Sequence, residues 1–289
     1  MSQTINTNLV SLNAQRNLSS SQSALSTSMQ RLSSGLRINS AKDDAAGLAI
    51  AERMSTQARG MSVAMRNAND AISLSQTAEG ALGKVGDVLQ RMRELAVQSA
   101  NGTNTSADRD SLNGEFVQLA QEATRTLGGT KFNNQSILAS SDSFTFQIGA
   151  NADTTIDQIA VTGFDWSSTT DLTSVLGSSV LTGTDAPTSK ISGTDGSDAL
   201  SAITALDTAL NKINGQRATF GAVQNRFDNV VANLMVSAEN QQAARSRIMD
   251  ADYATETSNL SRAQILQQAG NAMVAQANQL PQQVLALLR

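Results

Sequence analysis

The side chains that ordinarily carry nucleophilic, redox and metal chemistry are missing from this 289-residue chain, which has no cysteine and no histidine. That removes thiol nucleophiles, disulfides, Cys/His zinc sites and any triad built on imidazole. Carboxylates are what is left. The pair Asp43-Asp44 suggests general-acid or metal chemistry, but adjacent helical positions do not face each other. Acidic side chains at the positive end of a helix are the better reading. Asp195-Gly196-Ser197-Asp198 echoes a calcium loop, yet it lacks the further ligands and the terminal Glu, so a turn is expected. Asn17-Leu18-Ser19, Asn101-Gly102-Thr103, Asn104-Thr105-Ser106 and Asn134-Gln135-Ser136 fit the N-glycosylation pattern. The run Met1 to Asn8, however, has neither a basic n-region nor an apolar h-region. No cofactor, no metal and no enzyme activity are expected. A hydrolase grafted into the middle fails for want of His, and only a carboxylate-based activity would survive.

The elements that would position any site are long helices. Aromatics are 3% of residues and there are two prolines, so a core must be built from Ala, Leu, Ile, Val and Met. From Ala263 to Leu288 no side chain is charged, and Leu266, Gly270, Met273, Ala277, Leu280, Val284 and Leu287 alternate four and three apart, a heptad seam. At the other end Leu18, Leu25, Met29, Leu32 and Leu36 fall on the same spacing, with Arg16 the only charge before Arg31. An amphipathic helix with no core beside it needs another helix, in its own chain or in a neighbour. The sequence therefore points to an assembly protein whose ends form the polymer. Gln264, Gln267, Gln268, Asn271, Gln276 and Asn278 make the C-terminal stretch too rich in amides for a membrane span. A net charge of −4, with basic residues scattered singly, leaves no nucleic-acid footprint.

Between the ends, Ser40 and Asp43 have capping-box spacing ahead of an Ala-rich run to Ala100, whose seam is clearest at Leu82, Val85, Leu89, Met92 and Ala96. Unbroken, that helix would reach on the order of 85 Å. Thr105 and Asp108 have the same spacing and open a helix closed at Gly128-Gly129. A third long helix carries Ile203, Leu206, Leu210, Ile213, Phe220, Phe227, Val231 and Leu234, with seam gaps at Arg217 and Gln224. Phe144, Phe146 and Ile148 alternate, and 156–161 returns as a second strand, giving a β-hairpin. Residues 167–197 are rich in Ser, Thr, Gly and Asp and read as a surface excursion. The expected fold is mainly α, a long antiparallel helical bundle or coiled coil with a small β-hairpin element and its termini paired.

Ile5-Asn6-Thr7-Asn8 and the run Arg31-Leu32-Ser33-Ser34-Gly35-Leu36-Arg37-Ile38-Asn39-Ser40-Ala41-Lys42-Asp43-Asp44-Ala45-Ala46-Gly47 resemble the N-terminal signature of bacterial flagellin. Ala244 through Ala254, Gln264 through Gly270, and Pro281 through Arg289 resemble its C-terminal signature. The resemblance implies a terminal helical domain lining the filament lumen (1–44 and 246–289) and a helical rod domain with a hairpin (45–165 and 200–245). It also implies a short surface segment (166–199) in place of large outer domains. It implies a structural subunit that polymerises with its own kind into an extracellular filament used for motility. Its partners would be an export chaperone, the flagellar type III export apparatus, the filament cap and hook-filament junction proteins. A junction protein of the same architecture is the alternative, which the complete C-terminal signature disfavours.

The same resemblance implies two sites. Leu89 through Gln98 is similar to the segment read by the host Toll-like receptor for flagellin; Arg91, Leu95 and Gln98 would share a helical face, joined by Glu115 from the next helix. That face would also pack between subunits. Leu18, Leu25, Met29, Leu32, Leu266, Met273, Leu280, Val284, Leu285, Leu287 and Leu288 form the expected polymerisation and chaperone-binding seam.

Overall fold

A computed structural model describes residues 7–177 and 188–287, the last eight in backbone only. The described residues form six helices and four short strands: α1 (Leu9–Ser34), α2 (Ala45–Ser99), α3 (Ser106–Gly129), β1 (Lys131–Phe132), β2 (Gln135–Ser136), β3 (Ser143–Gln147), β4 (Gln158–Thr162), α4 (Thr170–Leu176), α5 (Ser197–Met249) and α6 (Tyr253–Leu287). They divide into two compact units, one holding residues up to 58 and from 239 onward, the other 59–238. The mainly α architecture with small antiparallel hairpins agrees with the sequence.

In the terminal unit α1 and α6 lie antiparallel. The Asn8 side-chain amide donates to the Ala277 carbonyl at 2.7 Å, and Arg31 stands 3.8 Å from Glu256 at the other end of the pair. Asn8 caps α1 by accepting from the Ser11 N–H. Gly35, at φ 72°, ends the helix in the left-handed conformation that a side chain would strain. The chain then crosses to the other flank: the Arg37 N–H donates to the Met249 carbonyl at 2.6 Å and its guanidinium donates to the Ile248 carbonyl. Ile38, Ala51 and Met249 form a small core there.

The expected capping box at Ser40 and Asp43 is a turn one step ahead of the helix. Asp43 accepts from the N–H groups of Asn39 and Ser40, while the N-cap is Asp44, which accepts from the Gly47 N–H at 2.8 Å. The box at Thr105 and Asp108 is complete, with both reciprocal bonds made.

The second unit is built on α2. Among its buried positions, Ala64, Ala68, Ala71, Ser75, Ala78, Leu82, Val85, Leu89, Met92, Ala96 and Ser99 keep alternating four and three spacing, with Leu74 and Leu95 buried beside that line, which is why the seam read at 82–96 extends in both directions. Antiparallel α5 buries Ala202, Leu206, Ala209, Ile213, Phe220 and Phe227; Arg93 meets Asp207 at 2.6 Å between the two helices. The two gaps in the α5 seam have one partner. Gln224 donates to Glu79 at 3.0 Å and Arg217 lies 3.8 Å from the same carboxylate.

The hairpin pairs β3 with β4, Phe144 opposite Val161 and Phe146 opposite Ile159, and Phe146 meets Phe227 edge-on at 5.8 Å. Gly60 lets α2 pass the hairpin turn: a Cβ there would sit 2.8 Å from the Ala150 side chain. A second hairpin, β1–β2, turns through Asn133 and Asn134, both at positive φ, the two-residue geometry that Asn tolerates. The Ser/Thr-rich segment also differs from a plain excursion: α4 turns Leu172, Val175 and Leu176 into the core, and Ile191 follows.

Candidate functional site

The α1–α6 pair does not form one large apolar seam. The residues turned toward α6 are Ser11, Ala14, Leu18, Ser21, Leu25, Ser28 and Leu32, a regular heptad in which serine and alanine alternate with leucine. From α6, Glu256, Ala263, Gln267, Gly270, Val274 and Ala277 answer. Small residues let the backbones approach. At Gly270 an added Cβ would lie 3.1 Å from the Leu18 side chain.

The expected seam is therefore divided. Leu18, Leu25, Leu32, Gly270 and Ala277 face the partner helix, whereas Met29, Leu266 (51% exposed) and Met273 (59%) stand exposed, as do Leu9, Val10, Leu12 and Ile265. The physical reason is that small residues at Ser11, Ala14, Ser21, Ser28, Ala263, Gly270 and Ala277 draw the helices close and leave Leu266 and Met273 at the edge of the contact. Counting only large apolar residues missed Ser11, Ser21 and Ser28, whose heptad spacing was the available signal. A groove of about 550 Å³ results, lined by Leu9, Val10, Leu18, Leu266, Ala269 and Met273. The side chains of Leu280, Val284, Leu285 and Leu287, and all of Leu288, lie outside the described residues.

On the other unit, Arg91 is exposed and holds two carboxylates, Glu94 at 2.9 Å and Glu115 at 3.0 Å. Hydrogen bonds that Arg91 donates to Glu94 first and to Glu115 second raise its pKa above the ordinary guanidinium value. Gln98 lies exposed on the same side of α2. Leu95 does not join them: it is 1% exposed and belongs to the core. Spacing of i, i+4 puts Leu95 near Arg91, but the α2 seam at Met92, Ala96 and Ser99 rotates it inward. The exposed apolar neighbour is Val97, in a shallow depression with Gln90, Arg93, Glu94 and Gln98. Sequence reading passed over Val97, although it lies outside the heptad extended from Leu82.

Neither acidic motif builds a metal site. Asp195 accepts from the N–H and hydroxyl of Ser197, which holds its carboxyl below the usual range through the Ser197 hydroxyl first, as expected of a turn. Among the described residues no group of three or more His, Cys, Asp or Glu is placed to hold a metal ion, and no helix is long and apolar enough to cross a membrane.

Long helices, termini paired through small residues, and large apolar side chains turned outward define a self-associating structural subunit. Residues 5–143 match the bacterial flagellin N-terminal helical region and residues 203–288 match its C-terminal helical region. The chain is 47% identical over 286 residues to flagellin of Halalkalibacterium halodurans, covering 99% of both chains. It is 44% identical over 312 residues to that of Bacillus subtilis, again with 99% of both covered. In fold it is similar to a putative flagellar hook-associated protein from Vibrio parahaemolyticus, with a TM-score of 0.57, 72% of this chain and all of the other covered, and 13% identity. The chain belongs to the bacterial flagellin family: it is a filament subunit that assembles with its own kind, and not an enzyme.

Proposed function

We propose that copies of this chain polymerise through the outward stripe of α1 and α6. The observation that carries the reading is the groove in which Leu9 and Val10 of α1 and Leu266 and Met273 of α6 stand exposed, α6 carrying no charged residue from Ala263 to Leu287. An apolar surface of that kind needs a cover. Leu280, Val284, Leu285, Leu287 and Leu288 continue the stripe in sequence. A heterologous contact, one face of a subunit against a different face of the next, gives an open helical polymer. On this reading 1–44 with 246–289 is the domain that lines the filament lumen, 45–165 with 200–245 is the helical rod domain with its hairpin, and 166–199 is a short surface segment. Before export through the flagellar type III apparatus a chaperone covers the C-terminal helix, and in the extracellular filament the subunits adjoin the cap and the hook-filament junction proteins. The hook-filament junction reading is not favoured, since a 13% likeness to a hook-associated protein speaks for fold alone.

We further propose that the free subunit presents Arg91, Gln98 and Glu115 to the host Toll-like receptor for flagellin, with Leu95 acting from behind by holding α2 in place. Exposed Arg is a common anchor of such contacts. The assembly reading is tested by Leu266→Asp. A charge in the groove should abolish seeded filament growth, seen by electron microscopy, while the circular dichroism melt of the helical core stays that of the parent. Filaments of normal length from the variant would sink the reading.

A further inference from the structure

We propose that Met273 is an oxidation site that gates self-assembly: a two-electron oxidant of the peroxide class converts its thioether to the sulfoxide in the free chain, and the growing filament refuses the oxidised copy. The inference rests on the reading of the α1–α6 groove as the assembly contact.

Elimination points to the thioethers first. The chain has no cysteine and no histidine, and its one tryptophan, Trp166, is fully buried. Methionine sulfur is then the softest nucleophile that solvent reaches. Exposure sorts the methionines further. Met92 and Met249 are buried, whereas Met29, Met235 and Met273 are each more than half exposed. Of these three only Met273 lines the groove, beside Leu9, Leu18 and Leu266.

The chemistry is balanced by the oxidant alone. A sulfur lone pair attacks one peroxide oxygen, the O–O bond breaks as the S–O bond forms, and the departing oxygen leaves as water with both protons; sulfur loses two electrons and the peroxide gains them. The product is polar and chiral where the thioether was apolar and flexible. Covering that oxygen with an apolar neighbour buries an acceptor without a donor, which is unfavourable. In the free chain the sulfur is open, and in the polymer it is covered. Oxidation therefore acts before assembly and spares finished filaments.

The test uses the full-length chain. Monomer is treated with hydrogen peroxide to about one sulfoxide per chain or fewer, seeded to polymerise, and sedimented; peptide mass spectrometry then reads every sulfoxide in filament and supernatant. Met273 sulfoxide should be enriched about fivefold or more in the supernatant. Met235 sulfoxide, equally exposed at its origin but outside the groove, should divide evenly. Methionine sulfoxide reductases A and B together should return the excluded chains to filaments. Equal Met273 sulfoxide in the two fractions overturns the gate and leaves the assembly reading standing, and equal exclusion of every sulfoxide overturns the assignment to Met273. Absence of filaments from untreated chain removes both.

Discussion

The two units of this chain use the same heptad spacing to opposite ends. Along α2 the inward positions are Leu82, Val85, Leu89 and Met92, all fully buried, and α3, α5 and the β3–β4 hairpin add to the same core. Along α1 the inward positions alternate Ser11, Ser21 and Ser28 with Leu18, Leu25 and Leu32, and the leucines are only half-buried. One unit buries a continuous run of large side chains. The other puts small and polar ones inside and leaves Leu266 and Met273 outside. Periodicity tells where helices meet, while side-chain size within the period tells whether the meeting is finished.

The sharpest way to break this contrast is to truncate matched leucines. Leu89→Ala should destabilise the 59–238 unit by about 2–5 kcal/mol, because a fully buried leucine leaves a cavity as well as lost transfer energy. Leu18→Ala, half-exposed beside Gly270, should cost under about 1.5 kcal/mol, less than the full burial of a leucine side chain is worth. Urea unfolding followed by circular dichroism measures both. Equal losses would mean that α1–α6 is as closed as the α2 core.

How much was legible follows from the same contrast. The α2 seam, the complete Thr105–Asp108 cap and the alternation of Phe144 and Phe146 could be read because large apolar side chains or capping oxygens marked them. The register of α1 against α6 could not, since Ser11, Ser21 and Ser28 look polar in sequence and become interior only against Gly270 and Ala277. Leu95 failed for a related reason: local spacing from Arg91 named a face, while the long-range seam decided which way it pointed. The β1–β2 hairpin was missed because two-residue strands carry no period, and only the Asn133-Asn134 pair announced the turn.

A smaller effect sharpens the comparison at the surface. Arg91 is exposed, so Arg91→Ala should leave the unfolding curve of the 59–238 unit within scatter, as open ion pairs contribute little. Receptor activation by purified monomer should nevertheless weaken about tenfold if this side chain is an anchor. Leu95→Ala should do the reverse in order: the fold loosens first, and signalling falls only as far as folded protein is lost. Loss of signalling from Leu95→Ala at unchanged stability would return that residue to the contact itself.

The smallest expected effect uses a device that both units share. Asp43 in the terminal unit is held below the usual carboxylate range by the Asn39 N–H first, then by the Ser40 N–H and hydroxyl; Asp108 in the other is lowered by the Thr105 hydroxyl and then its N–H. A depressed folded-state pKa stabilises above the unfolded value of about 3.9 and loses that contribution as pH falls through the lower, folded value. Both turns should therefore hold at neutral pH and loosen in acid. Asp108 begins a helix whose Phe116, Ala120 and Leu127 are locked in the core, whereas Asp43 falls in sequence between Ile38 and Ala51, which share a much smaller core with Met249. Hydrogen exchange read along a pH series should thus show the Asn39 and Ser40 amides opening before that of Thr105, once the intrinsic pH dependence of exchange is divided out. Asp43→Asn should remove the acid step at Asn39 and Ser40 and leave Thr105 unchanged. Simultaneous opening at all three would mean that the two units share one cooperative transition, and that the difference in their seams does not reach their stability.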